Sequence, residues 1–173
     1  LIARAGLMSS LAKIVLFRRA PRLPRAALES FARLLRDQVA AGRGFDCLVT
    51  DDRELRRLNR EFLGKDAPTD VLSFPESEEP DRAFLGELAI SCDRAREQAG
   101  RFGHGIEDEV KILMLHGVLH LTGMDHVGDR GRMARQTVIP NLRRLEERVE
   151  ADVARGIALR IAQDAIAALV DGA

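Results

Sequence analysis

Several absences narrow the possibilities before any motif is considered. Cysteine is scarce: Cys47 and Cys92 lie far apart and belong to no C-x-x-C pair. That excludes a disulfide framework and a thiolate metal site, and it implies a reducing, cytoplasmic setting. Net charge is absent, with 27 basic side chains against 27 acidic ones, so no bulk field draws the whole molecule to a polyanion. No apolar run approaches the roughly 18 residues of a membrane span. In the stretch from Leu11 to Phe17, Lys13 interrupts what a signal peptide would keep continuously apolar. Internal repeats and low-complexity linkers are missing too.

What is present suits one domain with a proper core: 173 residues, 46% of them apolar. The expected organisation is a single domain over 1–173, with a core at 10–140 and a helical extension at 141–173. The balanced charge is unevenly spread. Residues 1–36 hold eight Lys or Arg against one acid, and residues 76–110 hold ten acids against four Arg. A polyanion would therefore meet a local basic patch built partly from the N-terminal segment.

Along the chain, Ile14 to Phe17 reads as a strand, followed by a helix from Pro21 to Ala41 with Gly42 just beyond it. Leu28, Phe31, Leu35 and Val39 form its buried stripe. Phe45 to Thr50 is a second strand. Asp51 and Glu54 then make a capping-box-like start to a helix whose Leu55, Leu58 and Phe62 face inward and which Gly64 closes. Two more strands, Asp70 to Phe74 and Leu85 to Ser91, flank an acidic loop from Glu76 to Asp81. A short helix from Asp93 to Ala99, a Gly-rich loop from Gly100 to Gly105 and an almost wholly apolar helix from Val110 to Leu121 come next. A helix from Asp129, kinked at Pro140, and an Ala-rich tail complete the pattern. This order implies an α/β (α+β) fold: one mixed sheet of about four strands with helices packed on it, the central apolar helix lying across one face.

That apolar helix carries the chemistry. His116 and His120 are four residues apart, so their rings leave one face about one turn apart and can grip one ion. Gly123 is free to take positive φ, which ends the helix and returns the chain so that His126 reaches the same point. Three imidazoles fill three corners of a tetrahedron and leave the fourth to water, the arrangement of a catalytic zinc. The spacing H-x-x-x-H-x-x-G-x-x-H is shared with metzincin proteases, which carry Glu directly after the first His as general base. Here that position is Gly117, which argues against peptide hydrolysis. Asp125 is the nearest carboxylate in sequence: a candidate catalytic group, or equally a residue that holds a ligand imidazole or caps the turn.

The chain resembles the YbeY family of bacterial rRNA maturation factors. The likeness runs through Leu48-Val49-Thr50-Asp51-Asp52, Leu58-Asn59-Arg60-Glu61-Phe62, Asp66 to Pro75, Leu85 to Ser91, Gly103-His104 and the eleven residues from His116 to His126. The resemblance implies a zinc-dependent endoribonuclease specific for single strands. It implies one zinc ion on His116, His120 and His126, a role in small-subunit rRNA maturation and quality control, and contact with the ribosomal small subunit, with RNA and not DNA as partner. It also suggests that Thr69, Ser73 and His104 line a substrate groove. Two positions depart from the family pattern: Leu63 stands where an Arg usually follows the aromatic residue and contacts phosphate, a charge left to Lys65 or to the Arg-rich stretch Arg53, Arg56, Arg57 and Arg60, and Gly105 replaces a usual Ser. A metal-dependent peptide or amide hydrolase and a non-catalytic zinc-containing ribosome factor are the alternative readings.

Overall fold

The computed structural model describes residues 15–20, 22–76 and 83–123. Its elements are β1 (Val15–Phe17), α1 (Arg25–Gln38), β2 (Gly44–Thr50), α2 (Asp52–Leu63), β3 (Val71–Pro75), β4 (Phe84–Ser91), α3 (Cys92–Phe102) and α4 (Ile106–Leu121). The strands form one sheet in the order β1-β2-β4-β3. β1, β2 and β4 run parallel, and β3 lies antiparallel on the edge beside β4. This is the mixed α/β sheet that the element order predicts. The inner strands β2 and β4 are buried along most of their length, as parallel strands covered on both faces must be.

Strand alternation decides which helix meets which face. On β3, Leu72 and Phe74 point one way, and with Ala89 of β4 they take up Leu55, Leu58 and Phe62 of α2. The Phe62 and Phe74 rings meet edge-on, centroids 5.1 Å apart. Val71 and Ser73 point the other way, toward α4, as does Leu88. The sheet thus separates α2 from α4.

Several local expectations are met through the residues that suggested them. Asp51 Oδ1 accepts the Glu54 N–H at 2.9 Å, and Gly64, at φ 69°, ends α2. The reciprocal half of the capping box does not form. Glu54 turns its carboxylate to Arg57 (2.9 Å) and Arg18 (3.7 Å), because a guanidinium is a stronger donor than a neutral amide. Helix boundaries shift by up to four residues. α1 starts at Arg25, after Pro24, rather than at Pro21, and stops at Gln38, where Ala41 and Gly42 take positive φ and Gly42 N–H bonds back to Arg36 O at 2.8 Å. α3 continues through Gly100 to Phe102 instead of ending at Ala99. The Ser91 hydroxyl caps its start, and Gly103, not Gly100, provides the left-handed exit. α4 begins at Ile106, earlier than Val110, because Glu107, Asp108 and Glu109 suit the positive end of the helix dipole.

The described residues up to Thr122 belong to one compact unit. The expected boundary at residue 140, the Pro140 kink, the C-terminal tail and most of the acidic loop lie outside the described residues. Among the described residues no helix is long and apolar enough to cross a membrane. Cys47 and Cys92 are both free and buried. Burial pushes the Cys92 thiol up to about 11 and raises Cys47 further, so neither is a ready nucleophile or thiolate ligand.

Candidate metal centre

From Glu109 to Leu121, α4 is buried at every position except His116 and His120. Those two imidazoles therefore open toward solvent from an otherwise enclosed helix. Their ring centroids are 4.6 Å apart, with planes at 78°. Their Nε2 atoms approach to 3.1 Å. Two imidazole nitrogens bound to one ion at about 2.0–2.1 Å in tetrahedral geometry lie about 3.3–3.4 Å apart. The pair therefore fits a shared metal with a shift of a few tenths of an ångström.

The helix ends as the motif requires. Thr122 caps it, its N–H bonded to Val118 O at 3.0 Å and its hydroxyl donating to Leu119 O at 2.7 Å. Gly123 takes φ 79°, a conformation that costs a residue with a Cβ about 1–2 kcal/mol. His126 and Asp125 lie outside the described residues.

The other singled-out residues fall at different distances from this pair. Ser73, on the α4 face of β3, donates its hydroxyl to Gly117 O at 3.2 Å. It thereby ties the strand to the helix between the two histidines. Thr69 sits just before β3, half-buried, its hydroxyl donating to Asp70 Oδ1 at 3.3 Å. His104 lies toward the opposite end of α4, its Nε2 2.6 Å from Glu109 Oε2, with Glu109 only 1% exposed. The imidazole also stacks on Phe102 at 6.2 Å between centroids. Glu109 precedes His116 by seven residues, about 10 Å along the axis, so His104 anchors the start of the histidine helix.

Gly117 faces the sheet. A Cβ there would lie 2.7 Å from Leu88 Cδ2 and 3.2 Å from Val71 Cγ2. A glutamate at this position would enter the sheet packing, so the missing general base of the proteases has a steric cause. Leu63 is 56% exposed at the end of α2, and Gly105 leaves the α4 N-cap without a side-chain bond.

Sequence reasoning missed Glu109 and Asn59. Asn59 is buried, and its amide donates to Ala67 O at 2.7 Å, holding the loop between α2 and β3. Both are polar residues inside otherwise apolar stripes, which is the signal that could have marked them.

The model of the family described as Endoribonuclease YbeY matches residues 20–138 of this chain. An endoribonuclease YbeY from Solibacter usitatus is 64% identical over 121 residues, covering 69% of this chain and 80% of that protein. The one from Koribacter versatilis is 51% identical over 102 residues, 58% of this chain and 65% of that protein. Among solved structures, the solution structure of TM1509 from Thermotoga maritima superposes with a TM-score of 0.51 at 27% identity, over 76% of this chain and 90% of that one. The match of a family model to well over half of the residues, together with this identity, means that the chain belongs to the YbeY family of endoribonucleases, hydrolases of RNA.

Proposed function

We propose that this endoribonuclease cuts single-stranded RNA with the help of one zinc ion held by His116, His120 and His126, and that it acts in the cytoplasm on small-subunit rRNA during maturation and quality control. The observation that carries the metal reading is the approach of the two Nε2 atoms to 3.1 Å on the only two positions of the buried helix stretch that reach solvent. Neutral imidazoles are the ligands that zinc prefers.

When bound, the ion would supply Lewis-acid polarisation of a phosphate oxygen and an acidified water. The chain's own residues set the geometry. Ser73 fixes the Gly117 carbonyl and with it the rotation of α4 between the two imidazoles. Glu109 and His104 hold the start of the same helix. The apolar packing around α4 keeps water from one side of the site, which strengthens electrostatic interactions there. Asp125 is the proposed proton acceptor or imidazole partner. The peptide-hydrolase alternative loses ground because position 117 is filled by Leu88 and Val71.

The test compares the full chain with His120→Ala prepared identically, using a labelled single-stranded RNA and metal analysis of both proteins. The expected result is about one zinc per parent chain, cleavage by the parent that a chelator stops, and loss of both zinc and cleavage in the variant. Equal zinc content in the two proteins, or equal cleavage, would overturn the proposal.

A further inference from the structure

We propose that a cleft of arginines on the α2 side of the sheet is a second, metal-independent site that grips the phosphodiester backbone of the RNA substrate away from the histidine pair. This rests on RNA being the substrate. The cleft has a volume of about 640 Å³ and is lined by Arg18, Arg19, Arg53, Arg56, Arg57 and Arg60.

Four of these arise from spacing alone. Positions 53, 56, 57 and 60 share one face of α2, turned away from Leu55 and Leu58, which meet the sheet. The other two arrive through the fold. Arg18 N–H bonds to Val49 O at 3.0 Å, which fixes the end of β1 beside the end of β2, where α2 begins. Arg19 then takes φ 56° as the chain turns over α2. Both belong to the basic N-terminal segment that the charge distribution singles out.

The acids in the lining do not neutralise this set. Glu54 serves Arg57 and Arg18. Asp66 forms a two-pronged bond with Arg56, at 2.8 and 2.7 Å, and lies 3.9 Å from Arg60. Glu61 also pairs with Arg57. Among the described residues, six guanidinium groups against Glu54, Asp66 and Glu61 leave three positive charges in excess. Among the described residues, neither Arg19 nor Arg53 has a carboxylate within 4 Å, and Arg19 acts on Glu54 only from longer range. Both are exposed, so their five-donor forks are available to phosphate oxygens.

The shape selects a chain of phosphates over a single one. Arg53 to Arg60 spans about 10 Å of helix axis. Among the described residues no aromatic ring lines the cleft, so they offer bases nothing to stack on and the contact is to backbone, independent of sequence. Since α2 and α4 lie on opposite faces of the sheet, this grip engages a stretch of RNA remote from the bond that is cut. Its contribution is to the binding of long substrates.

The test uses the full chain carrying His120→Ala, so that bound RNA stays intact, and measures its affinity for a labelled 30-nucleotide single strand across a salt series. Adding Arg19→Gln and Arg53→Gln is expected to weaken binding about tenfold. It should also flatten the plot of log K against log salt by about 1.4, at about 0.7 per lost phosphate contact. Replacing the same pair by Lys should preserve most of the slope. Unchanged affinity and slope in the Gln variant, or equal losses in the Gln and Lys variants, would overturn the proposal. Binding is read without cleavage, so an inactive parent that still shows arginine-dependent binding sinks the catalytic reading and leaves the cleft standing. An active parent whose RNA binding ignores Arg19 and Arg53 does the reverse.

Discussion

Replacing Gly117 by Ala tests the packing that seats the histidine helix on the sheet. The new methyl would start 2.7 Å from Leu88 Cδ2, with Leu88 Cδ1 and Val71 Cγ2 each at 3.2 Å. Carbon atoms rest about 3.5–4.0 Å apart, so roughly 1 Å must be found. Leu88 is fully buried and packed as densely as the rest of a protein interior, so it cannot swing clear cheaply. Overpacking of this kind costs about 1–3 kcal/mol, while alanine's better helix propensity returns about 1 kcal/mol. The expected net loss is about 1 kcal/mol. Leu88→Ala alone leaves a cavity and should cost about 2–5 kcal/mol. In that background only the Val71 Cγ2 contact at 3.2 Å remains, so Gly117→Ala should there be neutral to stabilising by up to about 1 kcal/mol, giving a coupling of about 1–2 kcal/mol. Urea unfolding of the four proteins, with m held constant, reads this directly. Additivity of the two changes to within about 0.5 kcal/mol, or a Gly117→Ala protein more stable than its parent, would refute the contact.

Two further outcomes follow from single residues. Asn59→Ala removes a part-buried bond to the carbonyl of exposed Ala67, an acceptor that water can then reach, and should cost about 0.5–1.5 kcal/mol; a thermal midpoint equal to the parent's would contradict this. The hydrogen bond from Arg57, and then the charges of Arg57, Arg18 and Arg19, hold the Glu54 carboxyl below its ordinary value of 4.5 in spite of its burial. A depressed acid stabilises the fold above its unfolded value and loses that contribution as pH falls below 4.5 through the lowered one. Glu54→Gln should therefore flatten the acid limb of the stability curve below about pH 4.5, and an unaltered slope there would count against the ion pair.

Much of this protein was legible in its sequence because the signals are local. The i,i+4 histidines, the positive φ of Gly123, the Asp51 cap, the Gly64 exit and the inward stripes of α1 and α2 each depend on a few neighbouring residues whose geometry is set by the backbone. Helix ends were read less well. At Gly100 and Ile106, packing and dipole terms of about a kcal/mol outweigh the residue preferences that marked the expected boundaries.

Strand order and facing, by contrast, are properties of the tertiary structure. The parallel register of β1 on β2 brings Arg18 and Arg19 to an α2 whose arginines lie more than thirty residues further along the chain. Strand alternation places Leu88 and Val71 under Gly117, which turns a substitution visible in the sequence into a steric necessity. The sequence alone determined which side chains could bind a metal and at what helical spacing. Only the folded sheet decided that this spacing opens to solvent on one face while the arginines gather on the other, because long-range pairing is fixed by burial of the whole core and not by any short window of residues.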